Sequence, residues 1–252
     1  MTPRREGYGL TIIARRQHSL VVTGVVLALL AVAIQTVLYL ADVYVFDRRV
    51  GTFDVDTEGG FPAWAASVAI FSTGFVALLL SVVESSRLLR LLGLAAAATF
   101  LSFDEALGVH ERLGLAVTEA LDVSDTYLRI AWPVVYLPLL AAVAALVFEL
   151  ARASTGPARR LLTIGLVVLA GAVALEVAGL ALDLVPSLTD TAWLYTLEIA
   201  LEEGAELLGW LLLTTGLAVR LFDQCAAQAI RADGRLPSAS GVPAGPTAGG
   251  SG

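Results

Sequence analysis

Three short stretches of this chain set ionisable side chains among residues that otherwise avoid charge. They are Asp104-Glu105 with His110-Glu111-Arg112, then Glu176 with Asp183, and finally Glu198, Glu202, Glu203 and Glu206. Carboxylates joined by an imidazole are ligand types for iron, manganese and zinc. Carboxyls inside apolar sequence are also the groups that relay protons or hold cations in a bilayer. A metal reading assigns Glu105, His110, Glu111, Glu176, Glu202, Glu203 and Glu206 as ligands of a divalent ion, iron, manganese or zinc. That ion would activate oxygen or water toward a lipid-soluble substrate, making the protein an oxidoreductase or a hydrolase. A transport reading assigns Asp104, Glu111, Glu198, Glu202 and Glu206 to a proton or cation pathway, with Gly108, Gly204 and Gly209 letting helices approach. A third reading is a non-catalytic scaffold or sensor, in which small residues between Leu92 and Thr99 pack on a membrane partner or a second copy.

The spacing departs from that of soluble di-iron bundles, which pair Glu residues with Glu-x-x-His. Here Glu203 is followed three residues later by Glu206, and His110 stands five residues after Glu105. The likeness to those bundles is therefore one of ligand type alone.

Composition narrows the field. Of 252 residues, 57% are hydrophobic and 15% charged, against about a quarter charged in soluble domains, and the mean hydropathy is +0.80. The sequence contains no lysine, so neither retinal nor pyridoxal phosphate can be held as a Schiff base. Cys225 is the single cysteine, which excludes an internal disulfide or a multi-cysteine metal site. The sixteen basic residues form no basic stripe of the kind that binds nucleic acid.

The elements that must carry these side chains are membrane helices, since each needs about 20 mostly apolar residues. Hydropathy predicts an all-α bundle of about six spans, near Ser19–Phe46, Pro62–Val83, Leu88–Val117, Tyr127–Leu150, Arg160–Leu184 and Ala192–Phe222. Gly59-Gly60-Phe61-Pro62, Gly156-Pro157 and Pro186 punctuate them. Residues 1–18 read as a basic cytoplasmic segment, residues 19–222 as the membrane domain, and residues 223–252 as a cytoplasmic tail. Beyond Asp233 the tail is rich in Gly, Pro, Ser and Ala and expected to be disordered.

Arginines set the expected orientation in a cell membrane, because cytoplasmic flanks collect positive charge. Arg4, Arg5, Arg15, Arg16, Arg87, Arg90, Arg152, Arg159, Arg160, Arg220, Arg231 and Arg235 all fall on one side of the predicted spans. Both termini are then cytoplasmic, and the acids lie in the outer half of the bilayer.

Glu105 and Glu176 would sit about 22 Å from the cytoplasmic face, and the span-six glutamates at a similar depth. Glu198, Glu202 and Glu206 recur at i, i+4 and i+8, so one face of span six is acidic. Along an unbroken span three, Asp104 and Glu111 nearly eclipse, while Glu105 and His110 diverge from that line. Each buried acid costs about 2.5–3.5 kcal/mol, against about −0.5 for a leucine, so span six needs neutralising partners. His110 and Arg112 are the nearby cations, too few for the carboxyls present; protons or a bound cation must supply the rest. The alternative is a third span that ends near Phe103, with Asp104–Arg112 in an interfacial amphipathic helix.

The remaining conspicuous residues have plain readings. His18 belongs to the solvated flank; Trp64, Trp132, Trp193 and several tyrosines are interface anchors; Trp210 packs; Pro133 and Pro138 bend span four. The pattern Asp-Glu-x4-His-Glu at Asp104–Glu111, followed by Glu-Glu-x2-Glu-x2-Gly at Glu202–Gly209, resembles one carried by uncharacterised bacterial multi-pass membrane proteins. The resemblance covers spans three and six and implies a shared site without naming an activity. The bilayer, with a lipid-soluble substrate or a cation, is the expected partner.

Overall fold

The computed structural model describes residues 4–54, 60–123, 128–184 and 192–232, with side chains not described for 4–12, 128–130, 180–184 and 192. The side chains of Arg4, Arg5 and Asp183, together with Gly59, Pro186 and the segment from 233 onward, each given a reading above, lie outside the described residues or side chains.

Among the described residues all regular structure is helical. The helices are α1 (Arg4–Tyr44), α2 (Phe61–Val83), α3 (Leu88–Leu107), α4 (Val109–Leu121), α5 (Leu128–Arg152), α6 (Gly156–Leu184) and α7 (Ala192–Ala232), with short 3-10 turns at Gly51–Phe53 and Ser85–Arg87. Six stretches are long and apolar enough to cross a bilayer: Ile13–Tyr44, Phe61–Val83, Ser85–Leu107, Ala131–Arg152, Gly156–Gly179 and Trp193–Ala232. The protein is thus an all-α, multi-pass membrane bundle. Pro62 starts α2 in the first helical turn, where its missing N–H costs nothing. Gly156, at φ +55°, opens α6.

Helix α7 is the centre of the bundle, packed on α6, α2 and α1. Its small residues permit close approach: a side chain at Gly209 would meet Leu169 at 2.5 Å, and one at Gly216 would meet Leu162 at 2.9 Å. Leu207, Leu213 and Leu217 are essentially fully buried there. Outward, Leu27, Val37, Phe71, Val82, Leu89 and Val167 are exposed, the surface that acyl chains would cover.

Three expectations change. Span three is not continuous to Val117: α3 stops at Leu107, Gly108 adopts the left-handed conformation at φ 58°, and α4 begins at Val109. Only glycine enters that region without a steric penalty, so Gly108 serves as a joint rather than as room for a neighbouring helix. The small residues after Leu92 are used within the chain, since Gly74 of α2 lies against Ala95 and Ala98. Arg220 is no flank residue, being 4% exposed. Its guanidinium takes both Glu84 oxygens, with Nη2 2.6 Å from Oε1 and Nε 3.0 Å from Oε2, and Nη1 donates to Ser154 Oγ and the Leu150 carbonyl. This pair ties α2, α5 and α7 together, because a buried charge persists only when paired and hydrogen-bonded.

Candidate functional site

The break at Gly108 builds the site. It turns the chain so that His110, second residue of α4, reaches back over the end of α3, placing Nδ1 3.0 Å from Asp104 Oδ2. Tyr136 of α5 donates its hydroxyl to the other oxygen, Asp104 Oδ1, at 2.7 Å. Asp104 is 6% and Tyr136 6% exposed, so this carboxyl is held almost wholly by protein donors. The His110 ring stands edge-on to Trp132, with centroids 4.9 Å apart, and Trp132 is one helical turn from Tyr136 on the same face of α5.

Opposite this group lie the acids of α6 and α7. Trp132 Nε1 donates to Glu176 Oε1 at 3.4 Å, and Trp210 Nε1 to Glu206 Oε1 at 3.3 Å. Glu176 of α6 and Glu202 of α7 line the same cavity.

All these groups open onto one cavity of about 660 Å³ between α2, α3, α4, α5, α6 and α7. Its walls include Asp104, Glu105, Glu111, Glu176, Glu202, Glu203 and Glu206. His110 is the one lining residue able to carry positive charge; Trp132, Tyr136, Tyr195 and Trp210 supply aromatic faces, and Leu140, Leu166 and Val173 an apolar wall. Acids from separate helices therefore share one pocket.

The fit to the individual assignments is uneven. Every residue of the expected metal set lines the cavity, as do Asp104, Glu111, Glu202 and Glu206 of the pathway set. Glu198 does not; it is buried at 8% exposure one turn before Glu202 on α7. Glu111 is exposed at the rim, and Arg112 is exposed and absent from the lining, so it does not neutralise the site. His110 does not diverge from Asp104, because the 100° rule fails across a left-handed residue. Among the described residues no three His, Cys, Asp or Glu side chains stand close enough together to hold a metal ion. Of the carboxyls that ring the cavity, Asp104, Glu176 and Glu206 accept hydrogen bonds from Tyr136, Trp132 and Trp210.

Sequence reasoning missed Tyr136, and it assigned Trp132 to the interface and Trp210 to packing. The available signal was the Trp132, Tyr136 spacing of four inside an otherwise apolar span. It also missed Gln35, Tyr39 and Asp42, a polar line at i, i+4 and i+7 in the first span that is buried at 2%, 1% and 1% exposure.

The family described as Domain of unknown function (DUF8692) matches residues 19–221, which include every one of these side chains. No curated protein and no solved structure matches the chain.

Proposed function

We propose that this chain, which belongs to the DUF8692 family, is a transporter of the cell membrane that exchanges protons for a cation at the acid-lined cavity. The observation that carries this reading is the gathering of Asp104 of α3, Glu176 of α6 and Glu202 and Glu206 of α7 around one cavity in which His110 is the one lining residue able to carry positive charge. Two carboxylates side by side in a low-dielectric pocket repel strongly, and a shared proton is the cheapest way to hold them together. A cation entering the cavity can replace that proton, and releasing the cation lets the proton return. The surrounding Trp and Tyr rings favour the same charge sign, because aromatic faces attract cations. On this reading the arginine-rich side, with both termini, faces the cytoplasm.

The dispersed carboxyls favour exchange over a resident metal centre, which would need several of them at one point. The test uses the full chain reconstituted in lipid vesicles with a pH-sensitive dye inside. Sodium, potassium and tetraphenylphosphonium are added outside in turn. At least one should drive proton movement ten-fold faster than in empty vesicles, and Glu202→Gln should abolish it, because the amide keeps the size and polarity of the carboxyl but cannot release a proton. No acceleration by any of the three overturns the proposal. Stoichiometric iron, manganese or zinc in the purified protein, lost in Glu202→Ala and His110→Ala, would establish the metal reading in its place.

A further inference from the structure

Helix α1 buries four residues among those described, Ala28, Gln35, Tyr39 and Asp42, and three of the four are polar. From Ser19 to Tyr44 the other residues of that helix are half-buried or exposed and mostly apolar, so its inward line is the reverse of what a simple membrane anchor presents. That line faces α7. The two helices run antiparallel, with Gly24 against Thr215, Val32 beside Gly204, and Tyr39 packed on Ile199. This register sets Glu198, 8% exposed, at a level between Gln35 and Asp42.

Two oxygens in this seam are unaccounted for. Asp42 Oδ1 accepts the Val50 backbone N–H at 2.8 Å. Asp42 Oδ2 and Gln35 Oε1 are both inaccessible and meet no hydrogen-bond donor among the described residues. A buried carboxylate oxygen without a donor is costly, far more than a neutral group in the same place. A water could donate hydrogen bonds here but would leave the charge uncompensated. A small hard cation does both, since it takes carboxylate, amide and hydroxyl oxygens together. The two oxygens left without donors belong to one carboxylate and one amide, a single negative charge that a monovalent ion matches.

We propose that the α1–α7 seam is a binding site for a desolvated monovalent cation, sodium in the first instance, coordinated by Asp42 and Gln35 with Glu198 and Tyr39 beside them. None of these four residues lines the acid cavity, so the inference does not rest on the exchange reading. Glu198 stands one turn from Glu202 on α7, so occupancy of the seam would be felt at the cavity through a single helix.

The experiment is thermal unfolding of the purified full chain in detergent, in sodium chloride against choline chloride at equal ionic strength, with potassium chloride as a third arm. Sodium should raise the midpoint saturably, by about 3–6 °C at ten times its Kd. Asp42→Asn and Gln35→Leu should each remove that rise, while Glu202→Gln, in the cavity, should keep it. If Asp42→Asn fails to fold, Gln35→Leu and direct binding of radioactive sodium to the unaltered protein, one ion per chain, decide. Equal midpoints in sodium and choline with no bound sodium overturn the proposal, and so does a sodium response that survives both seam variants. Proton exchange lost in Glu202→Gln with the sodium shift intact would separate the two sites, and exchange absent altogether beside an intact sodium shift would defeat only the cavity reading.

Discussion

His110 and Asp104 are six residues apart and lie 3.0 Å from each other, Nδ1 to Oδ2, across a left-handed glycine. In an unbroken helix those side chains would point about 120° apart. Their contact, the cavity mouth it frames and the Tyr136 hydrogen bond on the same carboxyl therefore depend on the conformation of Gly108.

Gly108→Ala should cost about 1–2 kcal/mol from the left-handed backbone alone. It should also disturb the His110–Asp104 contact, so cation-driven proton movement should fall along with the unfolding midpoint. Gly108→Asn should lose less of both, because asparagine tolerates that region better. A Gly108→Ala protein as stable and active as the parent would show that the joint is not required.

Gly209 sets the spacing of α6 and α7, since a Cβ there would meet Leu169 Cγ at 2.5 Å and the Gly165 carbonyl oxygen at 3.2 Å. Overpacking of this kind costs about 1–3 kcal/mol. Gly209→Ala should lower the thermal midpoint and, by prising the helices apart, disturb the placing of Glu176 and Glu202 on the cavity wall. Pairing it with Leu169→Ala should restore part of the stability. Independent, additive effects of the two changes would speak against direct packing.

The Arg220–Glu84 pair makes a prediction about asymmetry. Removing one partner leaves a buried charge alone, worth about 3–5 kcal/mol of destabilisation, whereas removing both is far milder. Arg220→Met and Glu84→Leu should each unfold at markedly lower temperature, and the double variant should recover most of the loss. Arg87, 2.9 Å from Glu84 Oε1, can hold part of that carboxylate, so the Glu84 variant should be the more damaging of the two.

Cys225 is a free, exposed thiol near the end of α7. With no other cysteine in the chain, a membrane-impermeant maleimide reads its side directly. On the proposed orientation Cys225 faces the cytoplasm, so labelling should require permeabilised cells or inverted vesicles. Labelling of intact cells would reverse the orientation and put the acid cavity toward the cytoplasm.

The six membrane helices were legible in the sequence because their signal is one-dimensional: a spanning helix must satisfy its own backbone and cover itself with about 20 apolar residues, whatever its neighbours do. The acidic face of α7 was legible for the same reason, since i, i+4 spacing within one unbroken helix fixes a face without reference to the rest of the fold. What the sequence could not determine was any relation that passes through a change of backbone direction or between helices. One left-handed residue at Gly108 reverses the facing of His110. Close approach at Gly209 and Gly216 selects which helices meet. The buried pairing of Arg220 turns an apparent flank cation into a core residue. Side chains such as Tyr136, Gln35 and Asp42 acquire meaning only from what stands across from them, because burial and hydrogen bonding belong to the packed bundle and not to any single span. Tertiary packing alone decided that the acids of α3, α4, α6 and α7 would line one cavity rather than each find its own way to the surface.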